Sequence, residues 1–153
     1  MLVLDTNVLS ETIKPAPNER VLTWLRQQPE QLLFTTAITQ AEIFYGVWVL
    51  PAGKRREALA TAVEAMFDED FHERVLGFDR HSATMYAAIM VKRQAIGRPI
   101  ADFDAQIAAI ARRHSATVVT RNVKDFEECG VALINPWDTL TAPSAPAHIS
   151  SSL

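Results

Sequence analysis

Cysteine occurs once, at Cys129, so no disulfide can close within the chain. That suits a reducing compartment and excludes a disulfide-stapled scaffold. Glycine is scarce, five in 153 residues, and no hairpin dipeptide separates the apolar runs, which argues against an antiparallel meander. Long hydrophobic runs are also missing. Leu2–Leu4 is too short for a signal-peptide core and lacks a basic leader, and no stretch is long enough to span a bilayer. Nor is there an excess of positive charge: the formal net charge is −3. This argues against non-specific coating of nucleic acid but leaves room for a local basic patch. The expectation is one soluble, cytoplasmic domain with no membrane segment.

What is present is an alternation of short apolar runs and amphipathic segments. Leu2–Leu4 reads as a buried strand running into Asp5, so the carboxylate stands at a strand end, where open α/β sheets bind ligands. A short helix over Val8–Ile13 ends at Pro15 and Pro17. Asn18 is expected to cap a helix through Gln28. A strand follows at Leu32–Thr35, then a helix from Thr39 toward Leu50 and an amphipathic helix over Lys54–Asp70. Arg74–Phe78 is expected as a strand and Arg80–Ile96 as a helix. Asp102 or Phe103 opens a helix through His114. Thr117–Thr120 is expected as a strand, Val123–Cys129 as a short helix capped by Gly130, and Ala132–Ile134 as the last strand. Five strands separated by helices predict an α/β fold, a parallel sheet covered on both faces. Thr141–Leu153, rich in Ser, Ala and Pro, is expected to be a disordered tail on a domain of residues 1–140.

Each acid that follows Asp5 has a structural explanation of its own. Thr39 and Glu42 match a capping box. Asp102 reads as an N-cap and Asp104 as a first-turn acid complementing the helix dipole. Asn122 with Asp125 has the same cap spacing. Taken together the set is harder to explain, because strand C-termini and helix N-termini share one edge of a parallel sheet. Carboxylate and amide groups converging there repel one another and call for a cation. Mg²⁺ or Mn²⁺ suits an all-oxygen site, and such an ion would serve phosphodiester chemistry.

Six segments, in order, resemble the PIN-domain ribonucleases of the VapC type, in particular the FitB-like branch. They are LDTNVLSE at Leu4–Glu11, PNERVLTWL at Pro17–Leu25, AITQAE at Ala37–Glu42, DAQIAAIARRH at Asp104–His114, VVTRNVKDF at Val118–Phe126 and INPW at Ile134–Trp137. The resemblance implies a three-layer PIN-like sandwich with sheet order 3-2-1-4-5 and metal-dependent endonucleolytic cleavage of RNA. It carries the family's three metal-site acids onto Asp5, Glu42 and Asp104, with Asp102 as the fallback in register. Many relatives carry a fourth acid where this chain has Asn122, which puts a second ion in doubt and leaves the amide to orient water or a carboxylate. Thr6 is a hydroxyl contact for the site, Asn7 fixes the turn, and Asp125 is a substitute for the missing acid or a helix cap.

The resemblance further implies a homodimer and a small antitoxin partner of the VapB or FitA kind, with operator DNA bound only through that antitoxin. RNA needs cations. Those on offer are Lys54, Arg55 and Arg56; Lys92, Arg93 and Arg98; and Arg112, Arg113, Arg121 and Lys124, with Arg121 nearest the acids. Phe44, Val47, Trp48 and Leu50 are divided between core and interface, Trp48 being the interface candidate. Two rival readings stand beside the nuclease. An aspartate-nucleophile phosphatase usually wants a second acid two residues after Asp5, where this chain has Asn7. A catalytically silent PIN fold would bind RNA or a partner only.

Overall fold

Val3 and Leu4 are both fully covered, yet they belong to different packing clusters on opposite faces of one strand. That strand, β1 (Leu2–Leu4), is the centre of the molecule. The computed structural model describes residues 1–138; the expected 141–153 tail and the domain end at 140 lie outside the described residues. Strand β1 pairs in parallel with β2 (Leu33–Thr36) on one side and β4 (Thr117–Val119) on the other. The two edges are β3 (Val75–Leu76) and β5 (Ala132–Ile134), completing the order β3-β2-β1-β4-β5. Leu4 pairs with Val119, so the chain immediately after each strand emerges at the same end of the sheet.

Helices α1 (Thr6–Thr12), α2 (Glu19–Arg26), α3 (Ala37–Trp48) and α4 (Lys54–Ala65) contribute to the cluster containing Leu4 and Val119. Helices α5 (Arg80–Ala95), α6 (Asp102–Arg113) and α7 (Val123–Phe126) contribute to the cluster containing Val3 and Val118. The result is the expected three-layer sandwich around an all-parallel sheet. Among the described residues no helix is long and apolar enough to cross a membrane. The central buried stripe of α6 is Ala105, Ile107, Ala108 and Ala111. Alanines cannot swing into a void, so Ile107→Ala leaves a cavity and should lose about 2–5 kcal/mol, read as a lower urea midpoint at constant m.

Several boundaries differ from the expectations, each for a local reason. Helix α1 begins at Thr6 rather than Val8, because the Asp5 side chain caps it by accepting the Thr6 N–H at 2.8 Å. Strand β2 starts one residue late, since Leu32 closes a 3-10 turn over Glu30–Leu32. The cap of α3 is Thr36, whose hydroxyl accepts the Thr39 N–H at 3.1 Å; Thr39 is not the cap. Lys54–Asp70 is helical throughout, but Met66–Asp70 widens to a π turn. Strand β3 is two residues, not five, and α7 is four residues long and ends at Phe126. Gly130 follows later, at φ 75°, where a Cβ would also stand 3.2 Å from Nε of Arg112. A side chain at that position would be strained by the positive φ, and the Arg112 side chain would have to shift by a few tenths of an ångström to admit it.

Candidate metal centre

Strand β1 ends at Asp5, which is 4 % exposed. Three donors hold its carboxylate: the Thr6 N–H at 2.8 Å, the Asn7 amide at 2.9 Å and the Thr120 hydroxyl at 2.8 Å. Thr120 stands just beyond β4, beside Asp5, because the Asp5 N–H donates to the Val119 carbonyl at 2.9 Å. Its hydroxyl also accepts from Asn7 at 3.2 Å and from the Asn122 N–H at 3.0 Å. One donor and two acceptor positions are thereby all used. Thr120 ties Asp5 to the turn that carries Asn122, and it was absent from the residues singled out in the sequence. The Leu4–Val119 pairing is the signal that would have found it.

Helix α3 presents Glu42 one turn in. Its carboxylate accepts the Thr6 hydroxyl at 2.9 Å, and Thr6 Oγ1 also lies 3.1 Å from Oγ1 of Thr39. The capping-box reading of Glu42 is therefore wrong, because the acid reaches across to α1 instead of back to its own helix. Asp104 comes from the first turn of α6, half-buried, and receives no hydrogen bond from the described residues. Asp5, Thr6, Asn7, Ser10, Glu42, Asp104 and Asn122 line one open pocket of about 360 Å³. Ser10 is a second lining residue the sequence reading did not single out.

Asp102 is elsewhere. It caps nothing, since Ala101 holds the N-cap place of α6 without a side-chain bond, and its carboxylate takes the Tyr86 hydroxyl at 3.0 Å. Asp125 is exposed and does not line the pocket. Asn122 holds the N-cap position of α7 but makes no side-chain cap bond. The reading of Asn122 and Asp125 as a reciprocal cap accordingly fails.

Electrostatics follow from this crowding. Burial raises the Asp5 carboxyl above its usual range, and the charge of Glu42 adds to it against the three hydrogen bonds. Burial likewise raises Glu42, with Asp104 adding and the Thr6 hydroxyl opposing. Asp104 is pushed up to about 6, by burial first and then by the charges of Asp5 and Asp125, with Arg93 opposing. Among the described residues no three His, Cys, Asp or Glu side chains form a ready-made metal cluster. Asp5 and Glu42 are turned toward local donors instead. The donor set nonetheless fits a hard cation, since every acid facing the pocket is a carboxylate, with hydroxyl and amide oxygens beside them and no thiol or imidazole.

Several of the cations offered for RNA are already committed. Arg93 is 4 % exposed; its guanidinium donates to the carbonyls of Arg98 at 2.6 Å, Asp125 at 2.8 Å and Glu127 at 2.7 Å. Lys92 pairs with Glu128, Arg98 with Glu127 and Arg113 with Asp79. Helix α5 and the turn after it thus clamp the segment following Asn122. Arg56 lies over Trp48, 5.5 Å from the ring centroid. Trp48 is 53 % exposed, with Tyr45 and Val49 exposed beside it, whereas Val47 is buried and Phe44 packs on the core.

Comparison with known proteins matches residues 2–131 to the PIN domain. Toxin FitB of Neisseria gonorrhoeae is 42% identical over 137 residues, spanning 90% of this chain and 99% of its own. The VapC ribonuclease Y4jK of Sinorhizobium fredii is 40% identical over 138 residues, with the same coverage. Among solved structures, FitAB bound to a DNA fragment superposes with a TM-score of 0.85 at 42% identity, covering 90% of this chain and 96% of that one. With its five parallel strands in the order 3-2-1-4-5 and the match running from β1 to the turn before β5, this chain belongs to the PIN-domain family.

Proposed function

We propose that the chain is the toxin of a type II toxin–antitoxin pair and acts as a Mg²⁺- or Mn²⁺-dependent endoribonuclease. The observation that carries this is the convergence of Asp5, Glu42, Asp104 and Asn122 on one pocket at the strand ends. The relatives named as a toxin and a VapC ribonuclease point the same way. Asp5, Glu42 and Asp104 would hold the ion. When bound, it supplies a polarised phosphate oxygen and a more acidic water. The chain's own residues do the rest. Thr120, Asn7 and the Thr6 amide lock Asp5 in orientation, and the Thr6 hydroxyl steers Glu42. Asn122, neutral where many relatives are acidic, lines the pocket without adding charge, which favours a single ion.

The partner is a small antitoxin of the VapB or FitA kind, through which alone the pair meets operator DNA. The toxin itself is a homodimer working in the cytoplasm. Trp48, with Tyr45 and Val49, is the apolar surface we assign to protein contact.

Purified free of antitoxin, the chain is expected to cut RNA when Mg²⁺ or Mn²⁺ is supplied and to leave it intact in EDTA. RNA bound but uncut under every metal condition would make it a silent PIN-fold binder. An acid-labile phosphoenzyme would make it an aspartate-nucleophile phosphatase.

A further inference from the structure

We infer that Arg20 and Arg121, both held against Trp137, form a docking site for a backbone phosphate of single-stranded RNA beside the acidic pocket. The inference rests on the ribonuclease reading and adds to it the route the substrate takes. The Arg121 guanidinium lies over the Trp137 ring, 5.2 Å from its centroid, and Arg20 donates to the Trp137 carbonyl at 3.4 Å. Both arginines are exposed while Trp137 is buried. A guanidinium held over a ring by its cation–π attraction still has N–H groups free to meet a phosphate.

The nearby acid does not consume these charges. Glu11 is buried, with one oxygen bonded to Lys14 at 2.6 Å and the other to the Asn18 N–H at 2.9 Å. Arg121 feels its attraction without a bond, and Lys14 pulls the Glu11 carboxyl below its usual range. Lys14 is spent on Glu11, and the exposed Glu19 and Asp138 flank Arg20 and Trp137 in the chain, so the rim rests on the two exposed guanidinium groups, neither of which is paired with an acid among the described residues.

The two regions adjoin. Arg121 lies between Thr120 and Asn122 in the chain, its N–H donates to Asn7 Oδ1 at 3.2 Å, and Ser10 of the pocket precedes Glu11. An acidic peptide laid across this rim would face Asp5, Glu42 and Asp104. A phosphodiester chain is the polyanion that a cation-loaded pocket accepts, so its neighbouring phosphate falls to the arginine rim.

The test is binding of a fluorescein-labelled single-stranded oligoribonucleotide to Asp104→Asn protein in EDTA, by anisotropy across a KCl series. Arg121→Ala and Arg20→Ala should each flatten the slope of log Kobs against log[KCl] by about 0.7, the value for one phosphate on a single strand. Arg121→Lys should keep the slope, and Trp137→Leu should lose part of it. In the parent protein with Mg²⁺ the alanine variants should raise KM severalfold. An unchanged slope in the double alanine variant would overturn the site. So would an unchanged slope with weakened antitoxin binding, which would assign the rim to an acidic peptide. The ribonuclease reading is judged separately, by whether the parent protein cuts the RNA in Mg²⁺ on a gel while Asp104→Asn protein leaves it intact.

Discussion

Asp104→Asn is expected to cut RNA more than about a hundredfold more slowly than the parent with Mg²⁺, yet to melt at a higher temperature in EDTA at pH 7.5. Both outcomes follow from one carboxylate. It is half-buried, receives no hydrogen bond from the described residues and is pushed up to about 6 by burial and by Asp5 and Asp125. A folded-state value above the usual 3.8 means the native state binds the proton more tightly than the unfolded chain does. Above pH 6 the ionised acid therefore works against the fold, and that penalty fades as pH falls from 6 toward 4. Because the group is partly exposed, solvent screens much of it. The asparagine variant should gain about 2–4 °C at pH 7.5, roughly what 1 kcal/mol is worth in a domain of this size. The gain should vanish near pH 4. Adding Mg²⁺ should reverse the order, because only the parent has the full ligand set. A variant that melts like the parent at every pH, or cuts as fast, would refute the assignment of Asp104.

The second large effect is expected at Arg93. Arg93→Met strips donors from the carbonyls of Arg98, Asp125 and Glu127 at once, around a residue that is 4 % exposed. Losing three part-buried bonds to one charged group should lower stability by roughly 3–5 kcal/mol. That is a large share of the 5–15 kcal/mol typical of a domain. Lysine reaches fewer carbonyls and should fall between. Urea unfolding measures both, and a Met variant within about 1 kcal/mol of the parent would show that the clamp is dispensable. Since two of the clamped carbonyls, those of Asp125 and Glu127, lie within five residues after Asn122, surviving Arg93→Lys protein should also show faster amide exchange over residues 122–128 than the parent.

The sheet was legible because its strands are short, apolar and separated by helices, which leaves few parallel arrangements; the order came from the family resemblance. The boundaries were harder. Thr36 and Thr39 are equally good caps on paper, and only the depth of β2 decides that Thr36 ends the strand. Glu42 was misread as a cap because its true partner, Thr6, is 36 residues away. Asp102 and Asp104 are two positions apart, and helix geometry turns one to Tyr86 and the other into the pocket. Thr120 was missed for a similar reason, since a threonine ending a β-branched run looks like more strand until the register sets it beside Asp5. Arg93 looks in sequence like any exposed helical cation. Its burial depends on a segment over thirty residues downstream.

The place of β1 in the sheet has a further consequence for synthesis. Thr120, which fixes the Asp5 carboxylate, is made 115 residues after it. The two neighbours of β1 likewise come from distant parts of the chain. No shorter nascent fragment holds both the acids and the turn that orients them, so the pocket is assembled only as the chain nears the end of its described length. A long loop must close before the central strand gains its second neighbour, which places folding among the slower, high-contact-order cases.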